Sequence, residues 1–330
     1  MGKKTDNIQK YIKCGFITLL IVFLIFALFI WLKSWEERHN LFPSHEVLQE
    51  TFLYNGEEYV LKEDVETFLV MGLDKFNGAS ANDSYNNDKQ ADFLMLFVFD
   101  NALKKCSAIH INRDTMAQVN VLGVAGNRVD TVTKQIALAH TYGNGDDVSC
   151  RNTADAVSCL LMDTKVNHYI SLVLDSVTVM NDLVGGVEVT VLDDFSSIDE
   201  ALVKDEKVTL NGQQAIHYVR TRQGLEDSSN TTRMKRQQQY INAFYEKFTE
   251  CVENDEEFIV KASLAVSDYI VSDRSVTQLQ ELARKFSEYE FTGINDLDGK
   301  SVVGEQFMEF YPDEDSVKKL VIDNFYEVKA

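Results

Sequence analysis

"TFLVMGLD" (67–74) and, beyond a polar interval, "ADFLMLFVFD" (91–100) decide how this chain folds. Each is a short apolar run bounded by aspartate, too short for a typical helix and rich in Val, Leu and Phe. A near-continuous apolar strand is one covered on both faces. Between them, "KFNGASANDSYNNDKQ" (75–90) has no hydrophobic period and reads as a loop. Outward from this pair, "CSAIHINRDT" (106–115), "NHYISLVLD" (167–175) and "GGVEVTVLDDF" (185–195) read as further strands. "TVTKQIALAHTYGNG" (131–145), "SVTVMNDLV" (176–184) and "TTRMKRQQQYINAFYEKFTECV" (231–252) read as helices, and so does "TADAVSCLLM" (153–162), with Thr153 as its N-cap. "QQAIHYVRTR" (213–222) passes from a helical into a strand-like pattern, and residues 253–330 add helices, ending in the amphipathic "SVKKLVIDNFYEV". Strands and helices alternate in no Rossmann order, and no G-x-G-x-x-G is present. The expectation is an α/β fold, a central mixed β-sheet flanked by helices, in one domain over 65–330.

The chain has 330 residues and a formal charge of −20. That acidity argues against nucleic acid as a partner, which needs a basic face. Its N-terminus is the clearest physical signal. From Cys14 to Leu32, "CGFITLLIVFLIFALFIWL" carries no charge. At about 1.5 Å per residue it reaches roughly 28 Å, near the thickness of a bilayer core. Lys3, Lys4, Lys10 and Lys13 precede it against Asp6 alone, which puts residues 1–13 in the cytoplasm and the rest outside. Trp31 and Trp35 fall at the outer interface. No small-x-small cleavage site follows the run, so an uncleaved anchor over 14–33 is favoured over a signal peptide. Residues 34–64 then form a juxtamembrane segment feeding a first hairpin. The expected location is the cell membrane, single-pass, with an extracytoplasmic domain. Cys106, Cys150, Cys159 and Cys251 lie where disulfides are permitted, and Cys150 and Cys159 are near enough in sequence to bridge or to remain thiols.

The chemistry concentrates in "HYVRTRQGLEDSSNTTRMKRQQQ" (217–239), where an acidic protein gathers Arg220, Arg222, Arg233 and Arg236. On a strand, Arg220 and Arg222 would share a face. On a helix, Arg233, Arg236 and Gln237 would form one patch near its positive end. Together they suit an anion with several oxygens, such as a diphosphate. A salt-bridged surface involving Glu226 and Asp227 is the alternative. Asp74, Asp92 and Asp114 each sit at a strand end or edge, where α/β sites gather. Two such carboxylates with water and phosphate oxygens make a magnesium site, although aspartates also serve simply as turn formers. His140 and His217 sit in apolar-periodic segments and read as packing residues. No H-E-x-x-H, P-loop or G-x-S-x-G is present.

"FLVMGLD", "ADFLMLFVF", "INRDT", "ALAHTYGNG", "LVGGVEVTV", "LNGQQAIHYVRTR" and "RMKRQQQ" occur in this order and spacing. The series resembles the LytR–CpsA–Psr family of bacterial cell-envelope proteins over about residues 65–250. The resemblance implies a membrane-anchored phosphotransferase of Gram-positive cell-wall biogenesis. Such an enzyme moves a glycopolymer, such as teichoic acid or capsule, from a polyprenyl-pyrophosphate carrier to peptidoglycan. It also implies a hydrophobic cleft for the polyprenyl tail. By position it makes Asp74 and Asp92 the Mg2+ ligands, with Arg113, Arg220, Arg222, Arg233 and Gln237 contacting the pyrophosphate. Asp74, Asp92 and Arg113 are then the catalytic set, with Asp74 as a candidate base.

Three positions depart from the family pattern. Gln90 stands where an arginine is frequent, Asn230 where an aspartate is usual, and Gln135, beside Lys134, where a basic residue opens the next element. These departures keep two other expectations open: a non-catalytic protein that binds polyprenyl-linked polymers, and a polyprenyl pyrophosphatase.

Overall fold

The computed structural model describes residues 51–74 and 90–329. The expected cytoplasmic segment 1–13, the anchor 14–33 and the first part of the juxtamembrane segment lie outside the described residues. Among the described residues no helix is long and apolar enough to cross a membrane. Residues 46–330 form one compact unit.

At its centre is a six-stranded mixed sheet of β3 (Val65–Leu73), β4 (Ala91–Asp100), β5 (Lys105–Ile111), β8 (His168–Val173), β11 (Ile270–Ser272) and β12 (Glu290–Asp296), in the order β11-β8-β3-β4-β5-β12. β4 runs antiparallel to β3 and to β5, whereas β8 is parallel to β3 and β12 to β5. The apolar runs of β3 and β4 resolve into two faces with period two. Leu69, Met71 and Leu73 with Leu94, Leu96 and Val98 enter the main core. There they meet α1 (Asp147–Leu160) and α7 (Glu314–Phe325). Phe68, Val70, Phe97 and Phe99 point the other way. Over that second face lie α2 (Asp175–Leu183), α4 (Asn230–Asn254), α5 (Phe258–Val266) and α6 (Val276–Glu288). A second core packs α3 (Gly212–Arg220) and α4 against the hairpin of β9 (Val187–Thr190) and β10 (Lys207–Leu210). The main core is flanked by the hairpin of β6 (Met116–Leu122) and β7 (Arg128–Gln135).

Several expectations need correction. "QQAIHYVRTR" is helix as far as Arg220, with no strand after it. Asn211 and Gln214 form a reciprocal capping box, and Ala215, Tyr218 and Val219 bury one helical face. Residues 131–135 are the end of β7, where β-branched Thr131, Val132 and Thr133 outweigh the helical spacing, and only 136–141 coil, as a 3-10 helix. Thr153 is not an N-cap. It lies inside α1, and its hydroxyl donates back to the Ser149 carbonyl at 2.9 Å. Cys150 and Cys159 sit nine residues apart on that same helix, about 13 Å along its axis, too far to bridge. The cysteines described are free.

Residues 253–330 contribute more than helices. They supply β11 and β12 to the central sheet and the hairpin of β13 (Gly299–Val303) and β14 (Met308–Pro312). β12 joins the sheet through a register shift at Gly293, whose φ of +113° only glycine adopts readily. The expected first hairpin is present as β1 (Thr51–Tyr54) and β2 (Glu57–Leu61). It pairs with β15 (Tyr326–Val328), so this layer starts before residue 65.

Candidate active site

The second face of the sheet does not close over its helices. A cleft runs between them, lined by Phe68, Val70, Phe97, Phe244 and Phe286 among others, and enclosing about 1020 Å3 of empty space. It continues past Val70 into a second recess of about 760 Å3, whose walls include Asp74, Asp92, Arg220, Arg233 and Gln237. From Phe68 to Asp74 along β3 is about 20 Å. An apolar channel therefore ends in a mouth of charge.

Each charged residue is placed by a local device. Gly72 pairs with Phe93 and Leu73 with Ala91, so Asp92 is the extra residue of a β-bulge. Gly72 is needed there, because a Cβ would lie 2.8 Å from the Phe93 Cβ. Arg113 and Asp114 occupy the turn after β5, closed by Thr115 N to the Asn112 carbonyl at 3.0 Å. The Asn112 side chain accepts from Asp114 N at 2.9 Å and from the Asn230 amide at 2.7 Å, tying this turn to the first residue of α4. Arg220 is the last residue of α3, a favourable place for a cation. Arg222 follows in the loop, and α4 starts after Ser229, whose hydroxyl accepts from Thr232 N at 3.2 Å.

These side chains meet. Arg113 donates to Asp92 and to Gln90, and its Nε lies 3.5 Å from Asp114. Arg220 donates to Asp74 at 2.6 Å. Arg233 donates to the Asp92 carbonyl at 3.1 Å and to the Asn230 side chain at 2.5 Å. Burial, with Arg222 and Arg113 nearby, lowers the Arg233 pKa to about 10. Burial raises the Asp114 pKa against the opposing pull of Arg113, and Asp114 also accepts from Gln135 at 3.0 Å. Among the described residues Arg222 makes no hydrogen bond or ion pair, and it acts electrostatically on Asp114 and Arg233. Gln237 donates to the Val219 carbonyl at 3.0 Å, so its amide nitrogen holds the end of α3.

Arg236 departs from the expected patch. Its side chain is fully buried and points away, donating to the Thr221 carbonyl, with Asp193 at 3.4 Å and the Phe195 ring 5.0 Å below it. Helical geometry explains this: positions 233 and 237 lie within about 40° of each other, while 236 is rotated about 60° from 233 and about 100° from 237. Asn112 and Asp193 were not singled out in the sequence, because their contacts are 118 and 43 residues distant from them in the chain. Gln90 and Asn230, the departures from pattern, both keep a bonded place in the cluster.

The LytR_cpsA_psr family model matches residues 39–320. The chain belongs to the LytR–CpsA–Psr family. It is 26% identical over 200 residues to Biofilm regulatory protein A of Streptococcus mutans, covering 58% of this chain and 46% of that protein. It is 25% identical over 218 residues to the polyisoprenyl-teichoic acid–peptidoglycan teichoic acid transferase TagU of Enterococcus faecalis, covering 65% and 63%. The chain thus spans between about half and two thirds of these relatives. Protein gbs0355 of Streptococcus agalactiae has a similar fold, with a TM-score of 0.61 at 19% identity, covering 79% of this chain and 87% of that one. The family's central mixed sheet is the one described above.

Proposed function

We propose that this LytR–CpsA–Psr protein transfers a glycopolymer from a polyprenyl-pyrophosphate carrier to peptidoglycan. The observation that carries the reading is the apolar cleft ending in a mouth of guanidinium and carboxylate groups. A long hydrocarbon tail suits the first part, and a diphosphate suits the second. TagU, a relative, is named for the same transfer from a polyisoprenyl-linked teichoic acid. The anchor over 14–33 fits this reading, since it would hold the domain at the membrane that carries the lipid.

Arg222 is free to receive phosphate oxygens, and Arg113 and Arg220 would turn to them from their carboxylates. Arg233 stiffens the floor, and Gln237 positions α3 rather than reaching the anion. Asp74 and Asp92 line one recess and suit Mg2+, which takes one or two protein carboxylates and completes its shell with water and substrate phosphate. Bound there, Mg2+ would supply neutralisation of the charge that develops on the phosphates.

The acceptor hydroxyl oxygen bonds to the sugar-proximal phosphorus, and the bond from that phosphorus to the bridging oxygen breaks. Polyprenyl monophosphate leaves, and the hydroxyl proton passes to a base. Asp74 is the candidate for that proton, although its carboxylate already accepts from Arg220.

The test uses the full chain in detergent micelles with a polyprenyl-pyrophosphate oligosaccharide, peptidoglycan oligomers and magnesium, with products read by mass spectrometry. Transfer is expected from the native chain and at least a hundredfold less from Asp92→Ala and Arg220→Ala. Tight lipid binding without any product would leave a binding protein, and release of free polymer phosphate to water would make it a pyrophosphatase.

A further inference from the structure

The transfer proposed above needs a place for its second substrate beside the donor cleft. On the far side of the Arg113–Thr115 turn the hairpin β13–β14 leans against the site. Phe310 N donates to the Asp114 carbonyl at 2.8 Å, and Thr115 bridges to Phe310. Gln135 joins the two, donating to Asp114 at 3.0 Å and to the Met308 carbonyl at 2.7 Å. Ala137 N donates to the Arg113 carbonyl at 3.2 Å.

Between the hairpin tip and residues 134–142 lies a recess of about 650 Å3, walled by Lys134, Leu138, Thr141, Tyr142, Gln306 and Phe307. It shares no lining residue with the donor cleft. Three of its wall residues adjoin in sequence the residues that grip the catalytic turn: Lys134 beside Gln135, Leu138 beside Ala137, Phe307 beside Met308. The recess therefore borders the segments that hold the turn carrying Arg113.

Its chemistry is mixed rather than oily. Two aromatic rings offer flat apolar faces, Gln306 and Thr141 offer hydrogen bonds, and Lys134 makes no ion pair among the described residues. Among the described residues Lys62, Lys105, Lys207, Lys247, Lys261 and Lys285 have carboxylate partners, whereas Lys104, Lys165, Lys204, Lys235 and Lys300, like Lys134, make no ion pair. Phe307 is 57% exposed, and Val303 and Met308 on the same hairpin are exposed too. A flat ring face with a few placed polar groups suits a saccharide, and an unpaired ammonium selects one that carries carboxylates.

We infer that this recess is the acceptor subsite, binding a carboxylate-bearing glycan strand of peptidoglycan and presenting its hydroxyl across the Arg113 turn. The inference rests on the transferase reading for its purpose but is tested separately from it. Binding of a peptidoglycan tetrasaccharide-peptide to the full chain would be measured by calorimetry, alongside binding of a polyprenyl-pyrophosphate donor analogue. The variants are Lys134→Ala, Phe307→Ala and their combination, with Glu305→Ala at the same hairpin tip, outside the recess wall, as the folding control.

The expected result is acceptor affinity at least tenfold weaker in the double variant, unchanged in Glu305→Ala, with donor affinity unchanged in all. A neutral chitin tetrasaccharide is expected to bind more weakly than the carboxylated strand and to be indifferent to Lys134→Ala. Equal acceptor affinity in the native and double-variant chains overturns the subsite, as does no acceptor binding to the native chain. Loss of donor binding in the native chain would instead bring down the transferase reading, while leaving the glycan result to stand or fall alone.

Discussion

Arg222 and Arg236 show what burial decides. They lie in one sequence cluster, yet Arg236 is fully buried against Asp193 and Phe195 while Arg222 has no hydrogen-bond or ion-pair partner among the described residues. Removing one member of a buried ion pair leaves its partner uncompensated and costs about 3–5 kcal/mol. Arg236→Ala should therefore lower stability by that order in denaturant unfolding. Arg222→Ala should leave stability within about 0.5 kcal/mol, as for a surface change. It should weaken donor binding by about 1.5–3 kcal/mol, tenfold or more, the worth of a charge-assisted hydrogen bond. The reverse pattern in paired unfolding and binding measurements would exchange their roles. Two of the three amide departures offset one another at this scale, while the third, Gln135, bonds Asp114 where the pattern has a basic residue. Gln90 and Asn230 replace a frequent cation and a usual anion, so between them they leave the charge of the cluster unaltered, and both side chains still bond to the arginines beside them.

Among the elements, α6 is the most instructive. Its apolar residues fall on one stripe, yet none of the helix is fully buried, because that stripe also lines the cleft, with Phe286 packed against Phe97 and Tyr245. Ala283 sits on this wall. Ala283→Trp should occupy part of the space and weaken a long-tailed donor at least tenfold, while a short-tailed analogue binds as before. A uniform loss for both would indicate a distorted helix instead. At this level the sequence reading did well where a pattern is local. β3, β4, α2 and α4 fall within a residue or two of expectation, because apolar runs and helical periods are contained in the segment itself. It failed at "QQAIHYVRTR", where the β-propensity of Tyr218 and Val219 competed with a capping box that set the helix. It missed β12 because "EFTGIND" is a half-exposed edge with a glycine bulge, and its pairing with β5 lies far off in the chain.

For the whole molecule, the candidate site was legible as a list of residues and not as a geometry. The aspartates and arginines could be named from strand ends and resemblance, but Asp92's bulge, the Asn112–Asn230 tie and the recess under β13–β14 are products of long-range packing. Global stability carries one further signature. His110 lies buried in β5 beside Phe93, and burial, reinforced by Arg233, pushes its pKa down to about 3 from 6.5. The folded state keeps this imidazole neutral, whereas the unfolded chain takes up a proton below 6.5. Its contribution is thus full above pH 6.5 and is lost as pH falls towards 3, amounting to about 2 kcal/mol at pH 5. His110→Leu should flatten the fall in melting temperature between pH 7 and pH 5. A slope identical to the native chain's would assign the acid sensitivity elsewhere.

The pairings Arg113–Asp92 and Arg220–Asp74 have a consequence for discrimination. With no ligand present, half of the mouth's four guanidinium groups are already satisfied by carboxylates. A small polyanion such as free diphosphate must break those bonds and gains only equivalent ones in return, so it has little to gain by entering. A diphosphate that also brings a hydrocarbon chain draws on the cleft behind, at about 0.8 kcal/mol for each methylene taken from water. On the proposed reading the mouth would act as a coincidence gate, favouring a ligand that brings charge and hydrocarbon together over one that brings either alone.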